Sequence, residues 1–245
     1  MKVTERLDKI LAHAGFGTRR EIKEQVKRGQ VTVNGKIVKD SGLQVKPALD
    51  SILVDGERVE YREHVYLMLH KPPGYVSATE DTRDRTVLEL LGEEYAHFDL
   101  FPVGRLDKDT EGLLLLTNDG KLAHQLLSPR KHVPKLYYAE VSGFVTEEDR
   151  VAFQQGVELD DGYRTLPAEL IIEQAEQPES GKLSRIRLTL HEGKFHQVKR
   201  MFQSVGKKVV YLKRLSMGSL ELDESLKPGE YRELTELEME GLRTS

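Results

Sequence analysis

Asp107, Asp109 and Glu111 stand at alternate positions in GRLDKDTEGLLLLTNDG, residues 104–120. Gly112 and four leucines follow them directly. Carboxylates so placed suit three chemistries. DKDTEG matches the first half of a calcium loop, in which oxygen ligands recur at alternate positions. That match fails at its twelfth position, where Asn118 replaces the bidentate glutamate, and a leucine run stands where exposed ligands belong. Two carboxylates can hydrolyse a sugar bond, but they must flank opposite faces of the sugar. Neighbours in one loop rarely do so. A single carboxylate can act as a nucleophile while its neighbours serve the turn. Against all three stands a loop whose carboxylates and Thr110 only bond to nearby backbone.

The flanking residues predict how such a loop is held. LLLL is too short for a helix and is bounded by turn residues, which predicts a fully buried central strand. Asn118 or Asp119 caps a following helix, KLAHQLLS, with Leu122 and Leu126 on one face. The carboxylates therefore sit in a loop at the start of a buried strand, a rigid place for a reactive group. Upstream, VYLMLHKPPGYVSA predicts a short strand from Val65 to Leu69, broken by two prolines. Lys71 could meet a phosphate there; such lysines are more often solvated, and it is given no catalytic role. Downstream, residues 191–214 hold seven Lys/Arg against one acid, with Phe195 and Tyr211 interleaved. That mixture suits a nucleic-acid groove. Within it VKRMFQSVG predicts a helix burying Val198, Met201, Phe202 and Val205, with Lys199 and Arg200 off that stripe.

The first sixty residues read as a separate unit. Thr4 is placed to cap a helix with Leu7, Ile10, Leu11 and Ala14 on one stripe, ended by Gly15 or Gly17. Thr18 and Glu21 form a capping box for a second helix, stopped by Gly29. Arg19, Lys23 and Lys27 share one face of it, with Arg20 beside them. VTVNGKIV predicts a hairpin around Asn34-Gly35, and LDSILVDGERV a second near Asp55-Gly56. YREH, residues 61–64, is the expected linker, giving units 1–62 and 63–245. The polar stretch 174–183 is expected to be a loop.

Charge divides in the same way. Net charge is −4, yet residues 1–50 carry eleven Lys/Arg against six Asp/Glu. A basic head on an acidic body suggests a polyanionic partner, or else a solvated charged surface. The 245 residues include no cysteine, which excludes a disulfide framework and thiolate zinc. Eight scattered histidines form no metal-binding pair. The start of the chain has no secretory signal pattern, and no apolar run reaches the ~18 residues of a membrane span. The expectation is a cytoplasmic monomer that needs neither metal nor cofactor.

Two resemblances sharpen this. ERLDKILAHAGFGTRREIKEQVKRGQVTVNGKIV, through Leu7, Gly15, Arg19, Gly29, Val31, Val33, Asn34 and Gly35, resembles the small RNA-binding module named after ribosomal protein S-four. It implies RNA contacts for the head, with Arg19, Arg20, Lys23 and Lys27 on phosphates. GRLDKDTEGLLLLTNDG resembles the central motif of the RsuA-type pseudouridine synthases. YLMLHKPPGYVSA, KLYYAEV and HEGKFHQVKRMFQSVGKKVVYLKRLSMG resemble the other motifs of that family, in its order. The family isomerises uridine within RNA: the base is cut from its ribose, rotated and rejoined through carbon, with no cofactor.

That resemblance implies an α+β chain, its catalytic body a mixed, mainly antiparallel sheet with flanking helices. It makes Asp107 the nucleophile and leaves Asp109, Thr110 and Glu111 to the loop. Tyr137 becomes the aromatic residue that stacks on the base and helps move the proton from carbon five, with Tyr138 on the opposite face of its strand. Lys199 pairs with the aspartate. Arg105 borders the site, Arg200 contacts RNA or the protein frame, and Leu212 lines the base pocket. The implied partner is ribosomal RNA or a partly assembled ribosomal particle, with small-subunit RNA first. Large-subunit RNA is the alternative, and an RNA-binding assembly factor the reading from another class.

Overall fold

A computed structural model describes residues 4–175 and 183–244. The chain forms two compact units. One comprises the chain through Val65 together with Gly92–Asp99; the other comprises Tyr66–Leu91 and the chain from Leu100 onward. Most of the polar stretch 174–183, namely 176–182, lies outside the described residues.

In the first unit, β1 (Glu5–Arg6) leads into α1 (Leu7–His13) and α2 (Arg19–Arg28). β2 (Val31–Val33), β3 (Lys36–Ile37), β4 (Gln44–Val45), β5 (Ile52–Val54) and β6 (Glu57–Arg58) follow. The apolar stripes of both helices meet the sheet in one core: Leu7, Ile10, Leu11, Ile22 and Val26 against Val31, Val45, Ile52 and Val54. Local chemistry sets the ends. Thr18 Oγ1 accepts from Glu21 N, and Glu21 Oε2 accepts from Thr18 N at 2.7 Å, the expected reciprocal cap. Gly29 closes α2 at φ 82°, and the hairpin turn is Asn34 at φ 52° and Gly35 at φ 74°. Thr4 is not a cap: Glu5 and Arg6 pair with β4, so α1 starts only at Leu7. Strand pairing outcompetes the local capping signal. Sequence spacing also gave no sign that Gly92–Asp99 belongs to this unit, where Phe98 is buried edge-on to His13.

In the second unit the strands are β7 (Tyr66–Lys71), β8 (Phe101–Pro102), β9 (Glu111–Thr117), β10 (Lys135–Ser142), β11 (Glu169–Gln174), β12 (Ser184–Leu190), β13 (Lys208–Met217), β14 (Leu220–Glu221) and β15 (Tyr231–Glu233). The helices are α3 (Gly120–Leu127), α4 (Glu147–Gln155), α5 (Gln197–Ser204) and α6 (Glu236–Thr244). The sheet runs β11-β12-β10-β13-β9-β7-β15, with β8 on β9 and β14 on β13. Its pairings are antiparallel except between β9 and β13. The fold is α+β with a mixed, mainly antiparallel sheet, as the sequence implied.

The leucine run is the core of that sheet. Leu113 to Leu116 are fully buried, so β9 is covered on both faces. Leu113 and Leu115 pack with Met68, Met217, Leu122 and Leu126 of α3, and Leu242 of α6. Each such side chain contributes roughly 1.5–3 kcal/mol by leaving water. The β9–β13 seam is brief: Lys213 pairs with Glu111 and Arg214 with Gly112. Gly112 has φ 106°, and a Cβ there would lie 2.2 Å from the Arg214 carbonyl oxygen. Only glycine permits this approach.

Candidate active site

The loop from Leu106 to Thr110 precedes β9 and is held from below by the segment after β7. Lys71 ends β7 fully buried. Its ammonium donates to four carbonyls: Pro72 (3.0 Å), Asp107 (3.1 Å), Lys108 (3.3 Å) and Thr110 (2.9 Å). Burial pushes Lys71 down to about 8, against the pull of Asp109 and Asp107. The sequence expectation of a solvated lysine is therefore corrected. Lys71 lies in step with Leu67 and Leu69 on one strand face, the available signal that it points inward. Ser77 completes the cradle: its Oγ donates to Leu106 O and accepts from Leu106 N, both at 3.0 Å. Gly74 N donates to Lys108 O at 2.7 Å, and Thr110 N to Asp107 O at 3.0 Å. The HKPPGYVSA segment thus fixes the backbone on which Asp107 stands.

α5 brings the cation. Val198, Met201 and Phe202 are buried, which leaves Lys199 off the apolar stripe. Its Nζ lies 3.1 Å from Asp107 Oδ2 and 2.6 Å from Asp109 Oδ1. Partial burial alone would lower this ammonium, but the bonds from Asp109 and Asp107 outweigh it and raise it. Burial likewise works to raise Asp109, and Lys199 reverses it, holding that carboxyl below its usual range. Asp109 was expected only to serve the turn; in the structure it shares the lysine. His196 approaches from the other side, with Nε2 3.5 Å from Asp107 Oδ1. Glu111 accepts from the Tyr211 hydroxyl at 2.8 Å.

The remaining candidates divide. Tyr137 and Leu212 are buried. Tyr137 pairs with Arg214, and Leu212 with Ala139, so these side chains share one sheet face while Tyr138 takes the other. Tyr137 stands two strands from β9, across β13, without a hydrogen bond to Asp107. Arg105 is exposed two residues before Asp107. Arg200 is tied to Asp160, and to Asp161 at 2.7 Å, with Phe195 O accepting at 3.3 Å. Arg19, Arg20, Lys23 and Lys27 are exposed on α2, with Lys27 paired to Glu24 at 3.0 Å.

The site is a partly exposed carboxylate on an immobilised loop, with an ammonium beside one oxygen and an imidazole beside the other. Comparison with known proteins gives the arrangement its context. Residues 65–204 match the RNA pseudouridylate synthase family model, and residues 5–50 match the S4 domain. The chain belongs to the RNA pseudouridylate synthase family. The synthase is 53% identical over 234 residues to the uncharacterized RNA pseudouridine synthase YtzG of Bacillus subtilis, with 96% of each chain covered. It is 41% identical to ribosomal large subunit pseudouridine synthase B of the same organism, over 98% of this chain and 96% of that one. It is 39% identical to ribosomal small subunit pseudouridine synthase A of Vibrio vulnificus, over 97% and 99%. A crystal structure of a pseudouridylate synthase aligns with TM-score 0.67 at 38% identity, covering 97% of this chain and 99% of that one. The synthase is thus an isomerase with an RNA-binding S4 domain. Among the described residues, no helix is long and apolar enough to cross a membrane.

Proposed function

We propose that this synthase converts a uridine of ribosomal RNA to pseudouridine, with Asp107 as the nucleophile. The observation that carries the catalytic assignment is the Asp107 carboxylate held by Lys199 at 3.1 Å on a loop fixed by Lys71. The target base must leave its stack to reach such a loop. The glycosidic C–N bond breaks, the base turns, and a C–C bond replaces it. The proton that leaves carbon five is matched by one taken up at the freed ring nitrogen, so no atom is gained or lost. Lys199 sets a positive charge beside the attacking carboxylate, and Asp109 balances Lys199 when the Asp107 charge is consumed. Tyr137 is the aromatic neighbour for the base, and Leu212 lines the same sheet face. Arg105 borders the entrance, while Arg200 works through the frame.

Small-subunit RNA is the substrate we propose first, on free RNA or a partly assembled particle in the cytoplasm. The second reading, large-subunit RNA, is favoured by the 41% identity to a large-subunit enzyme. The test incubates the synthase and Asp107→Asn with each ribosomal RNA and maps pseudouridine by chemical sequencing. The expected result is one new site, in small-subunit RNA, absent with Asp107→Asn. A site in large-subunit RNA selects the second reading. Activity surviving in Asp107→Asn removes that residue from the chemistry.

A further inference from the structure

Phe195 is large, apolar and 70% exposed, at the rim of the site. It does not turn into the core. Its ring lies flat on the His196 imidazole, with centroids 3.7 Å apart and planes 20° from parallel. His196 in turn reaches Asp107. The backbone at His196 has φ 48°, a left-handed conformation uncommon outside glycine. The two rings therefore form a stack whose inner ring touches the proposed nucleophile and whose outer ring faces solvent.

Ion pairs border the stack: Lys199 holds Asp107 and Asp109, and Arg200 holds Asp160 and Asp161. Lys194 lies over the Tyr163 ring at 4.3 Å, Arg200 donates to Phe195 O, and Lys199 lies one turn into α5. A flat, exposed apolar face at the rim of this site suits a ligand that bears flat rings. Base–aromatic stacking needs no particular base, because every base has a π-face. We propose that Phe195 and His196 are a stacking platform for an unpaired nucleobase of the RNA adjacent to the uridine that Asp107 engages. The position of the neighbouring uridine rests on the catalytic role given to Asp107 above; the platform itself does not.

The chain contains no tryptophan, so Phe195→Trp installs a single fluorescent reporter. It is titrated with a short single-stranded oligouridylate and with an abasic strand of equal length and charge. Saturable quenching by oligouridylate and none by the abasic strand is expected. Phe195→Ala should weaken oligouridylate binding about five- to a hundred-fold. Its salt dependence should be unchanged, because no phosphate contact is lost. Phe195→Tyr should keep the affinity. Equal quenching by the abasic strand, or wild-type affinity in Phe195→Ala, overturns the platform. If stacking is seen while no ribosomal RNA is isomerised, the ribosomal RNA reading falls and the platform stands.

Discussion

Lys199 bonds Asp109 more closely than it bonds Asp107, at 2.6 Å against 3.1 Å. The cation proposed to serve the nucleophile is therefore anchored elsewhere and merely lent to it. Its position does not depend on Asp107 keeping a charge.

Lys199→Met removes that cation from two carboxylates at once. Asp109, which Lys199 holds below its usual range, then protonates more readily. The acid limb of the single-turnover pH–rate profile should therefore move to higher pH. Lys199→Arg, which keeps the charge, should move it much less, though altered geometry lowers the plateau. A lowered plateau with an unmoved acid limb would show that Lys199 does not govern ionisation at the site.

Lys71→Met should loosen the loop from below. Four carbonyls lose a shared donor, and buried acceptors left without partners destabilise by roughly 1–3 kcal/mol or more. Urea denaturation measures the loss. If the midpoint does not change, the four bonds are not holding the loop.

Gly112→Ala places a methyl 2.2 Å from a backbone oxygen at a φ of 106°. The seam between β9 and β13 must part, at a cost of at least about 1–3 kcal/mol. Activity measured below the unfolding transition should fall as well, because the loop ends at that seam. Wild-type stability and rate in this variant would mean the strands can slide without consequence.

Exchange of Arg19, Lys23 and Lys27 for alanine should weaken RNA binding and lower the slope of log K against log salt by about 2–3, if each contacts a phosphate. These side chains are exposed, so folding should be unaffected. Substitution is a cleaner probe than deleting the first sixty residues, which would uncover Phe98. An unaltered slope would place the RNA elsewhere.

Arg232 fastens α6. It grips Glu238 with two bonds, 2.8 and 2.9 Å, and Asp223 at 2.7 Å. The bond to Arg232 holds the Glu238 carboxyl down at about 2, from 4.5 for a free side chain. A carboxyl depressed by folding stabilises the native state above its unfolded value, and the gain is lost as pH falls through the folded value. Glu238→Gln should therefore be less stable than wild type at pH 7, by under about 1 kcal/mol for so accessible a pair. The two should converge between pH 4.5 and about 2. Thermal unfolding across that range decides; a constant difference would trace the effect to packing.

What could be read without coordinates was local. The Thr18–Glu21 cap, the Asn34-Gly35 turn, the buried leucine strand and the exposed edge of α5 each follow from a few adjacent residues. Relations across long separations could not be read. Asp109 meets Lys199 ninety residues away, and nothing in DKDTEG distinguishes it from a turn residue. Lys71 looked like any lysine beside prolines until its strand placed it beneath the loop. Thr4 failed in the opposite sense, because a distant strand claimed the residues it would have capped.

The brief parallel seam has a kinetic consequence. Tyr211 and Glu111, bonded across it, are one hundred residues apart in sequence. The strand pairs on either side of it are antiparallel. Contacts of long sequence range are slow to form, since loop closure must precede them. The carboxylate loop receives Lys199 from beyond the seam, so it is complete only when this distant contact closes. On refolding from urea, catalysis should return after secondary structure does. The interval between them would then time the meeting of the two halves.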